Sequence, residues 1–321
     1  MSPGSLHASG SLLCTPVWRP PKELRRVKKH TRHRAPACTS AASTGLPFLD
    51  GLSEEQAPAI FALRREHEAF RTMRQVQKEI LTTIAQRLSI HSVPTKVSDD
   101  GLAYFTTEDK QTSIALQVGE AEKIEWLVAS CTALASLGGG TIRLNFFPQR
   151  WLHVPKLDIE IFYFFGKINL YANLNPRANL VLDAAYLERY YKTPGAQGYS
   201  MQDLQLESMA DPETVPFESR SIDMRVLTGQ TSLFYTASAT PQNVMNMAEM
   251  ASRTAQLWLE FAESEPSHPE RALPAPDPYN QEFYSFTRKD PDNEKVATLI
   301  GQESLEKLLR LATRDSRIMC K

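Results

Sequence analysis

The most regular alternation of hydrophobic and polar residues lies between Val154 and Leu182 and predicts two strands joined by a tight turn. Successive side chains of a strand point to opposite faces. On the first predicted strand, one face therefore carries Leu157, Ile159, Ile161 and Tyr163. The other face carries Asp158, Glu160 and Phe162. A turn at Gly166 and Lys167 leads to the second predicted strand. One of its faces carries Ile168, Leu170 and Ala172, and the other carries Asn169, Tyr171 and Asn173.

The acidic face of this hairpin is a candidate binding surface. If the register places Glu160 opposite Asn173, a carboxylate and an amide lie side by side next to the rings of Phe162 and Tyr171. Such a face is a plausible floor for a pocket. The same alternation fits a sheet surface whose acids lie in water, because a period of two does not say what covers a face.

Helical periodicity and further strands precede the hairpin. Apolar residues recur every three or four positions over residues 54–89, which predicts a helix packed on a sheet. Short turns separate the next predicted strands and favour antiparallel order; these strands are residues 102–106, 113–118, 124–129 and 141–147. The glycines at 138–140 lead into a strand, so we interpret them as a turn and not as a phosphate-binding loop.

The C-terminal half is predicted to be mainly helical. A short helix over residues 184–192 and a polar loop over 193–217, with one brief helical piece, precede a hairpin of residues 221–227 and 232–238. A long helix then runs from Pro241 to Ala262, with Met247 and Trp258 on its packed face. A proline-rich linker leads to helical periodicity over residues 279–314, where Pro291 stands in a first turn, Asp290 is the predicted N-cap and Asp292 follows.

Composition narrows the class of protein. The 321 residues are 42% hydrophobic, and the sequence has no apolar run long enough to predict an integral membrane segment. The four cysteines and seven histidines show no ligand spacing, so we predict no metal site and no disulfide framework. Without a GxGxxG fingerprint, an enzyme of this size would be a hydrolase or lyase, or would take electrons from a partner.

Residues 1–45 differ in charge from the rest of the chain. They contain eight Lys or Arg residues and one acid, Glu23, for a net charge of +7, so the remaining residues carry −8. An acidic body does not favour a nucleic-acid partner. The segment is rich in Arg, Lys, Ser and Ala, which is typical of an organelle transit peptide; a disordered basic arm that binds a partner is the alternative.

We predict that deletion of residues 1–45 leaves folding intact, because that segment has too few apolar residues to join a core. The measurement is the urea midpoint of unfolding of the truncated and full chains. Unfolding of the truncated chain at lower urea would contradict the prediction.

Three segments, in this order, resemble one family. PKLDIEIFYFFGKINLYANLNP, continued by NLVLDAAYLERYY, resembles the acid-bearing hairpin of the red chlorophyll catabolite reductases, which belong to the wider ferredoxin-dependent bilin reductase group. VPFESRSIDMRVLTGQTSLFYTASA resembles the family's hairpin after a variable loop. FYSFTRKDPDNEKVATLIGQESLEKLLRLA resembles the final helical region, in which an Asp precedes a hydrophobic stretch.

The resemblance implies an α/β/α sandwich in which a central antiparallel sheet is flanked by helices on both faces, formed by one reductase domain over residues 54–314. It implies Glu160 and Asp290 as catalytic acids, because these positions match a sheet carboxylate and a helix Asp that face the substrate in the family. The DPD sequence leaves Asp292 as an alternative to Asp290, and Arg143 stands where some bilin reductases carry a histidine. The expected substrate-binding residues are Asn173, Phe162, Arg225 and Asp292.

The resemblance also implies partners and a compartment. The enzyme would hold no redox cofactor and would take single electrons from reduced ferredoxin to reduce an open-chain tetrapyrrole, red chlorophyll catabolite, in the chloroplast. A bilin reductase acting on biliverdin and a non-enzymatic tetrapyrrole carrier are the alternatives, and a homodimer stays open. Since ferredoxin is acidic, candidates for a basic docking patch are Arg143, Arg150, Lys156, Lys167 and Arg177.

Overall fold

A computed structural model gives the fold of this chain. It describes residues 46, 51–96, 98–217, 222, 225, 231–266, 278–290, 292–315 and 319. By its contacts the chain divides into two units, residues 1–33 and 34–321, and all the described residues belong to the second unit. In those ranges, no helix is both long and apolar enough to cross a lipid bilayer.

One antiparallel sheet forms the centre of the described chain. Its strands are β1 (His91–Ser92), β2 (Leu102–Thr106), β3 (Thr112–Glu120), β4 (Ile124–Leu134), β5 (Gly139–Pro148), β6 (Lys156–Phe164), β7 (Lys167–Asn175), β8 (Val215–Pro216) and β9 (Leu233–Ser238). They lie side by side in the order β1-β3-β4-β5-β6-β7-β9-β8, and β2 also pairs with β3. Every strand pair in these ranges is antiparallel, so sequence neighbours from β3 to β7 are also neighbours in the sheet.

Amphipathic helices cover one face of the sheet. These are α1 (Pro58–Glu66), α2 (Glu68–Arg87) and a later helix, here α5 (Pro241–Ser264), whose apolar residues join those of β3 to β9 in one core. Thr240 caps α5 through its side chain, which accepts a hydrogen bond from the Asn243 backbone amide at 3.2 Å. Along the chain, α3 (Ala184–Leu187), which continues as a π-helix over Glu188–Lys192, and α4 (Met201–Ala210) lie between β7 and β8.

The C-terminal helices cover part of the opposite face. They are α6 (Pro278–Lys289), α7 (Asp292–Ile300) and α8 (Gln302–Ala312). Tyr284 of α6 and Leu308 and Leu311 of α8 pack in a second core with residues of β2 to β5. Trp126 of β4 donates a hydrogen bond from its indole to the Leu311 carbonyl at 2.9 Å, which fixes the end of α8 on the sheet. The sheet is therefore flanked by helices on both faces, as predicted.

Most predicted elements are confirmed, and the differences are local. The helix predicted over residues 54–89 is two helices, because the backbone of His67 is extended between α1 and α2. The helical periodicity over residues 279–314 is three helices, with Gly301 at φ 82° between α7 and α8. The strand predicted over residues 221–227 is wrong at Ile222 and Arg225, which are helical, and its other residues lie outside the described ranges.

Candidate active site

A polar face lies on β5, β6 and β7, beside the second core. We use "polar face" for Arg143, Asn145, Asp158, Glu160, Phe162, Asn169, Tyr171 and Asn173. The strand register places Arg143 opposite Glu160 and Asn145 opposite Asp158. Alternation along each strand puts all these side chains on one side of the sheet, away from α2 and α5. The predicted division of the hairpin into an apolar and an acidic face agrees with this register.

The register across the hairpin differs from the predicted one. Glu160 lies opposite Tyr171, and Asn173 lies opposite Asp158. The expectation that Glu160 lies opposite Asn173 is therefore wrong by two residues. The cause is the turn, which is formed by Phe165 at φ 52° and Gly166 at φ 69°, one residue earlier than predicted.

Glu160 forms an ion pair with Arg143 across two strands. Arg143 Nη2 donates to Glu160 Oε2 at 2.7 Å, and the side chains are 37% and 20% exposed. Burial raises the pKa of the Glu160 carboxyl group, while the charge and hydrogen bond of Arg143 lower it and the charges of Asp158 and Asp290 raise it further. The charge of Glu160 raises the pKa of Arg143, so Arg143 stays a cation. Glu160 is thus an acid whose protonation depends on its guanidinium partner.

Asp158 has a different environment from Glu160, although both lie on the same strand face. Its Oδ2 accepts from Lys156 Nζ at 2.8 Å and its Oδ1 accepts from Asn145 Nδ2. The Lys156 side chain is 3% exposed, and its ammonium lies 4.7 Å from the Phe147 ring centroid and 4.0 Å from that of Phe283. Both oxygens of Asp158 are therefore bonded to protein donors, whereas one oxygen of Glu160 is bonded to Arg143.

We predict that Lys156→Met lowers the free energy of unfolding by about 1–3 kcal/mol, because the half-buried Asp158 carboxylate then keeps one neutral donor. Methionine keeps most of the length and the contacts with the aromatic rings. Urea unfolding of Lys156→Met and of Lys156→Met/Asp158→Asn measures the effect. The double variant is expected to recover part of the loss, and a double variant less stable than the single one would contradict the pairing.

An aromatic cluster borders Glu160 on the side of β9. Phe234 of β9 contacts the rings of Phe162 at 6.3 Å, Tyr171 at 5.4 Å and Phe217 at 4.6 Å between centroids. Phe162 and Phe234 are half-buried, so their rings are presented beside the acid. Phe234 was missed by the sequence interpretation, although the alternation over residues 232–238 places it on one face of a strand.

Asn173 lies next to Tyr171 on the same face of β7. It is fully buried and donates from Nδ2 to the Tyr171 hydroxyl at 3.3 Å and to Asn175 Oδ1 at 2.5 Å. Burial raises the pKa of the Tyr171 hydroxyl above its usual range, so this hydroxyl stays protonated. Asn173 thus holds the Tyr171 ring in the floor of the site.

Helix α6 brings Asp290 to the polar face. Phe283 and Tyr284 of α6 contact the Phe147 ring at 6.5 and 5.0 Å, so the helix is held on β5. Asp290 follows the last residue of α6, and its charge acts on both Arg143 and Glu160. The Asp290 carbonyl also accepts from the Asn293 amide at 3.0 Å, at the start of α7. Glu160 and Asp290 are 130 positions apart in the chain, and the charge of Asp290 therefore acts on Glu160 in the folded protein.

The remaining predicted residues have different settings. Asp292 is the first residue of α7 and so lies in its first turn, as predicted, and its side chain lies outside the described atoms. Arg225 is exposed and helical, in a stretch mostly outside the described residues. Lys156 is wrong as a docking candidate because it is buried. Arg177 is half-buried and donates to the carbonyls of Gln149 and Leu152, which gives it a structural role, whereas Lys167 is exposed.

A separate cavity of about 170 Å³ lies on the other face of the sheet. Its walls come from α4, α5 and the strands β7 and β9, and include Leu170, Tyr235, Met247 and Met250. Pockets for ligands of drug size occupy ~300–1,000 Å³. This cavity is therefore too small for a ligand with several rings, and the sheet separates it from the polar face.

The fold and the polar face together define an antiparallel α/β/α sandwich with a half-buried acid and arginine cluster beside its C-terminal helices. No family model matches the sequence, and no curated protein matches it. Among solved structures, the chain is similar to phytochromobilin synthase from tomato, in a crystal structure in complex with biliverdin. The identity is 17%, the match covers 74% of this chain and 80% of that chain, and the TM-score is 0.58. At this identity the likeness shows a common fold.

Proposed function

We propose that this protein is a ferredoxin-dependent reductase of an open-chain tetrapyrrole, which binds against the polar face beneath α6 and α7. The observation that carries the proposal is the half-buried Glu160, paired with Arg143 and influenced by Asp290, in a fold shared with a phytochromobilin synthase solved in complex with biliverdin. The favoured substrate is red chlorophyll catabolite, reduced to a primary fluorescent catabolite, because three segments of the sequence resemble that branch.

The residues of the site suit proton delivery. Reduction of one carbon–carbon double bond needs two electrons and two protons; reduced ferredoxin supplies the electrons one at a time, and the protein supplies the protons. Glu160, whose pKa is raised by burial, is suited to act as a proton donor near neutral pH. Asp290 is the proposed second acid. Phe162 and Phe234 offer rings that pack against the conjugated system of a pigment.

Biliverdin is the alternative substrate. The phytochromobilin synthase with the similar fold was solved in complex with biliverdin, which favours a bilin reductase to a comparable degree. A tetrapyrrole carrier needs the pocket but neither acid, so it is the outcome expected if binding occurs without reduction. Transport to the chloroplast through residues 1–45 belongs to the same proposal.

The test is anaerobic incubation of the protein with photoreduced ferredoxin and each pigment in turn, followed by chromatography of the products. Reduction of red chlorophyll catabolite alone supports the first proposal, and reduction of biliverdin alone moves the assignment to a bilin reductase. Tight binding of either pigment without reduction supports the carrier. A protein that neither binds nor reduces these pigments contradicts the proposal.

We predict that Asp290→Asn lowers the single-turnover rate by about 10–100-fold, because the substitution removes an ionisable proton close to Glu160. Asparagine caps helices about as well as aspartate, so the free energy of unfolding should stay nearly constant. Asp292→Asn is the matched comparison and should slow the reaction less than Asp290→Asn does if Asp290 is the second acid. The opposite result, with Asp292→Asn slow and Asp290→Asn normal, would assign the second acid to Asp292.

A further inference from the structure

The ion pair between Arg143 and Glu160 leaves N–H donors of Arg143 for an anionic ligand. In the part of the chain that the structure describes, the Arg143 side chain has Glu160 as its one hydrogen-bond partner, through Nη2. A guanidinium has five N–H donors, so most of them remain available. The Arg143 side chain is also 37% exposed, whereas the Lys156 side chain, the cation that pairs with Asp158, is 3% exposed.

The tetrapyrroles of the proposed function carry carboxylate side chains, and a guanidinium binds a carboxylate through two parallel hydrogen bonds. Resting on that proposed function, we propose that a carboxylate of the bound pigment displaces Glu160 as the partner of the Arg143 guanidinium. Glu160 then takes up a proton from solvent. One anion and one proton thus enter the site together, and the charge around Arg143 stays balanced. Pigment binding itself would load the proton that the reduction uses.

The neighbouring charges favour this proton uptake. Lys156 and Asp158 form their own pair on β6, Tyr171 on β7 stays neutral, and Asp290, which follows α6, acts on Glu160 through its charge. The charge and hydrogen bond of Arg143 are the influences that lower the pKa of Glu160, and burial, Asp158 and Asp290 raise it. When an incoming carboxylate neutralises Arg143, the influences that raise the pKa of Glu160 are left, and the protonated form is favoured.

Calorimetric titration without ferredoxin tests the inference. Biliverdin and red chlorophyll catabolite are titrated into the full chain at one pH in buffers with different ionisation enthalpies, because the dependence of the heat on the buffer gives the number of protons bound. The expected uptake approaches about one proton per pigment. Biliverdin dimethyl ester, which has the same conjugated system without free carboxylates, is the matched ligand; it should bind without this uptake and about 10- to 100-fold more weakly.

Variants of Glu160 and of Arg143 identify the group that binds the proton and the group that binds the anion. Glu160→Gln should bind biliverdin with nearly normal affinity and without the proton uptake. Arg143→Gln should lose the preference for biliverdin over its dimethyl ester, and Arg143→Lys, which keeps the charge, should retain part of that preference. Glu207→Gln, an exposed residue paired with Arg253 on the other side of the sheet, is the control for an unrelated carboxylate.

The results separate this inference from the proposed function. Binding of the pigments with no proton uptake, or with equal uptake for biliverdin and its dimethyl ester, overturns the exchange at Arg143 and leaves the reductase proposal in place. Uptake that persists in Glu160→Gln also overturns it, since the proton then binds elsewhere. Absence of binding for both pigments overturns the proposed function and this inference together.

Discussion

Glu160→Gln is expected to slow reduction of the pigment by about 10²- to 10⁴-fold, the usual range for a lost general acid. Glutamine keeps the shape of the side chain and can still accept a hydrogen bond from Arg143, which lies 2.7 Å from Glu160. Binding of the pigment should therefore stay within a few-fold of normal, as an order-of-magnitude expectation for an isosteric change. The measurement is single-turnover reduction with photoreduced ferredoxin, alongside a pigment titration.

The pH dependence of the single-turnover rate tests the same role of Glu160. A proton donor must be protonated before the reaction, so the rate should be highest below the raised pKa of Glu160 and should fall as the pH rises through it. The fall should be absent from the residual activity of Glu160→Gln. Glu207→Gln should behave as the unmodified protein does. Full activity in Glu160→Gln would remove Glu160 from the mechanism and favour another acid, such as Asp158.

Trp258→Ala is expected to lower the free energy of unfolding by about 3–5 kcal/mol, because it leaves a cavity in the core between α5 and the sheet. The Trp258 side chain is fully buried, with its ring 5.3 Å from that of Phe146 and its indole N–H donating to the Pro155 carbonyl at 2.8 Å. Urea unfolding measures the loss. Because Pro155 precedes β6, Trp258 also supports the strand that carries Asp158 and Glu160 from behind.

Two methionines of α5 give a matched control for this prediction. Met247 is 3% exposed and Met245 is 57% exposed, so the two residues lie on different sides of one helix. Met247→Ala should cost about 2–5 kcal/mol and Met245→Ala no more than about 0.5 kcal/mol. Equal losses at the two positions, or a loss below about 1 kcal/mol for Trp258→Ala, would mean that the packed face of α5 is assigned wrongly.

The hairpin separates what local sequence decides from what it leaves open. Alternation fixed which side chains share a face, because neighbouring strand residues point to opposite sides whatever their partners are. The turn position decided the register: a turn at Phe165 and Gly166 brings Glu160 opposite Tyr171, and a turn one residue later brings it opposite Asn173. A shift of the turn by one residue moves the register by two, so the faces stay the same and the partners change.

The sequence by itself determined the antiparallel order of the strands, the long helix with Trp258 on its packed face, and the acidic face that carries Glu160. Only the tertiary structure decided the setting of each charge. Residue type alone would place Lys156 on the surface. In the folded chain Phe283, 127 positions away, covers Lys156, and Asp158 is its partner. Residue type alone would also place Arg143 on the surface, but Glu160 on the neighbouring strand pairs with it. Periodicity depends on local backbone geometry, whereas the pairing and burial of charges depend on segments that meet only in the folded chain.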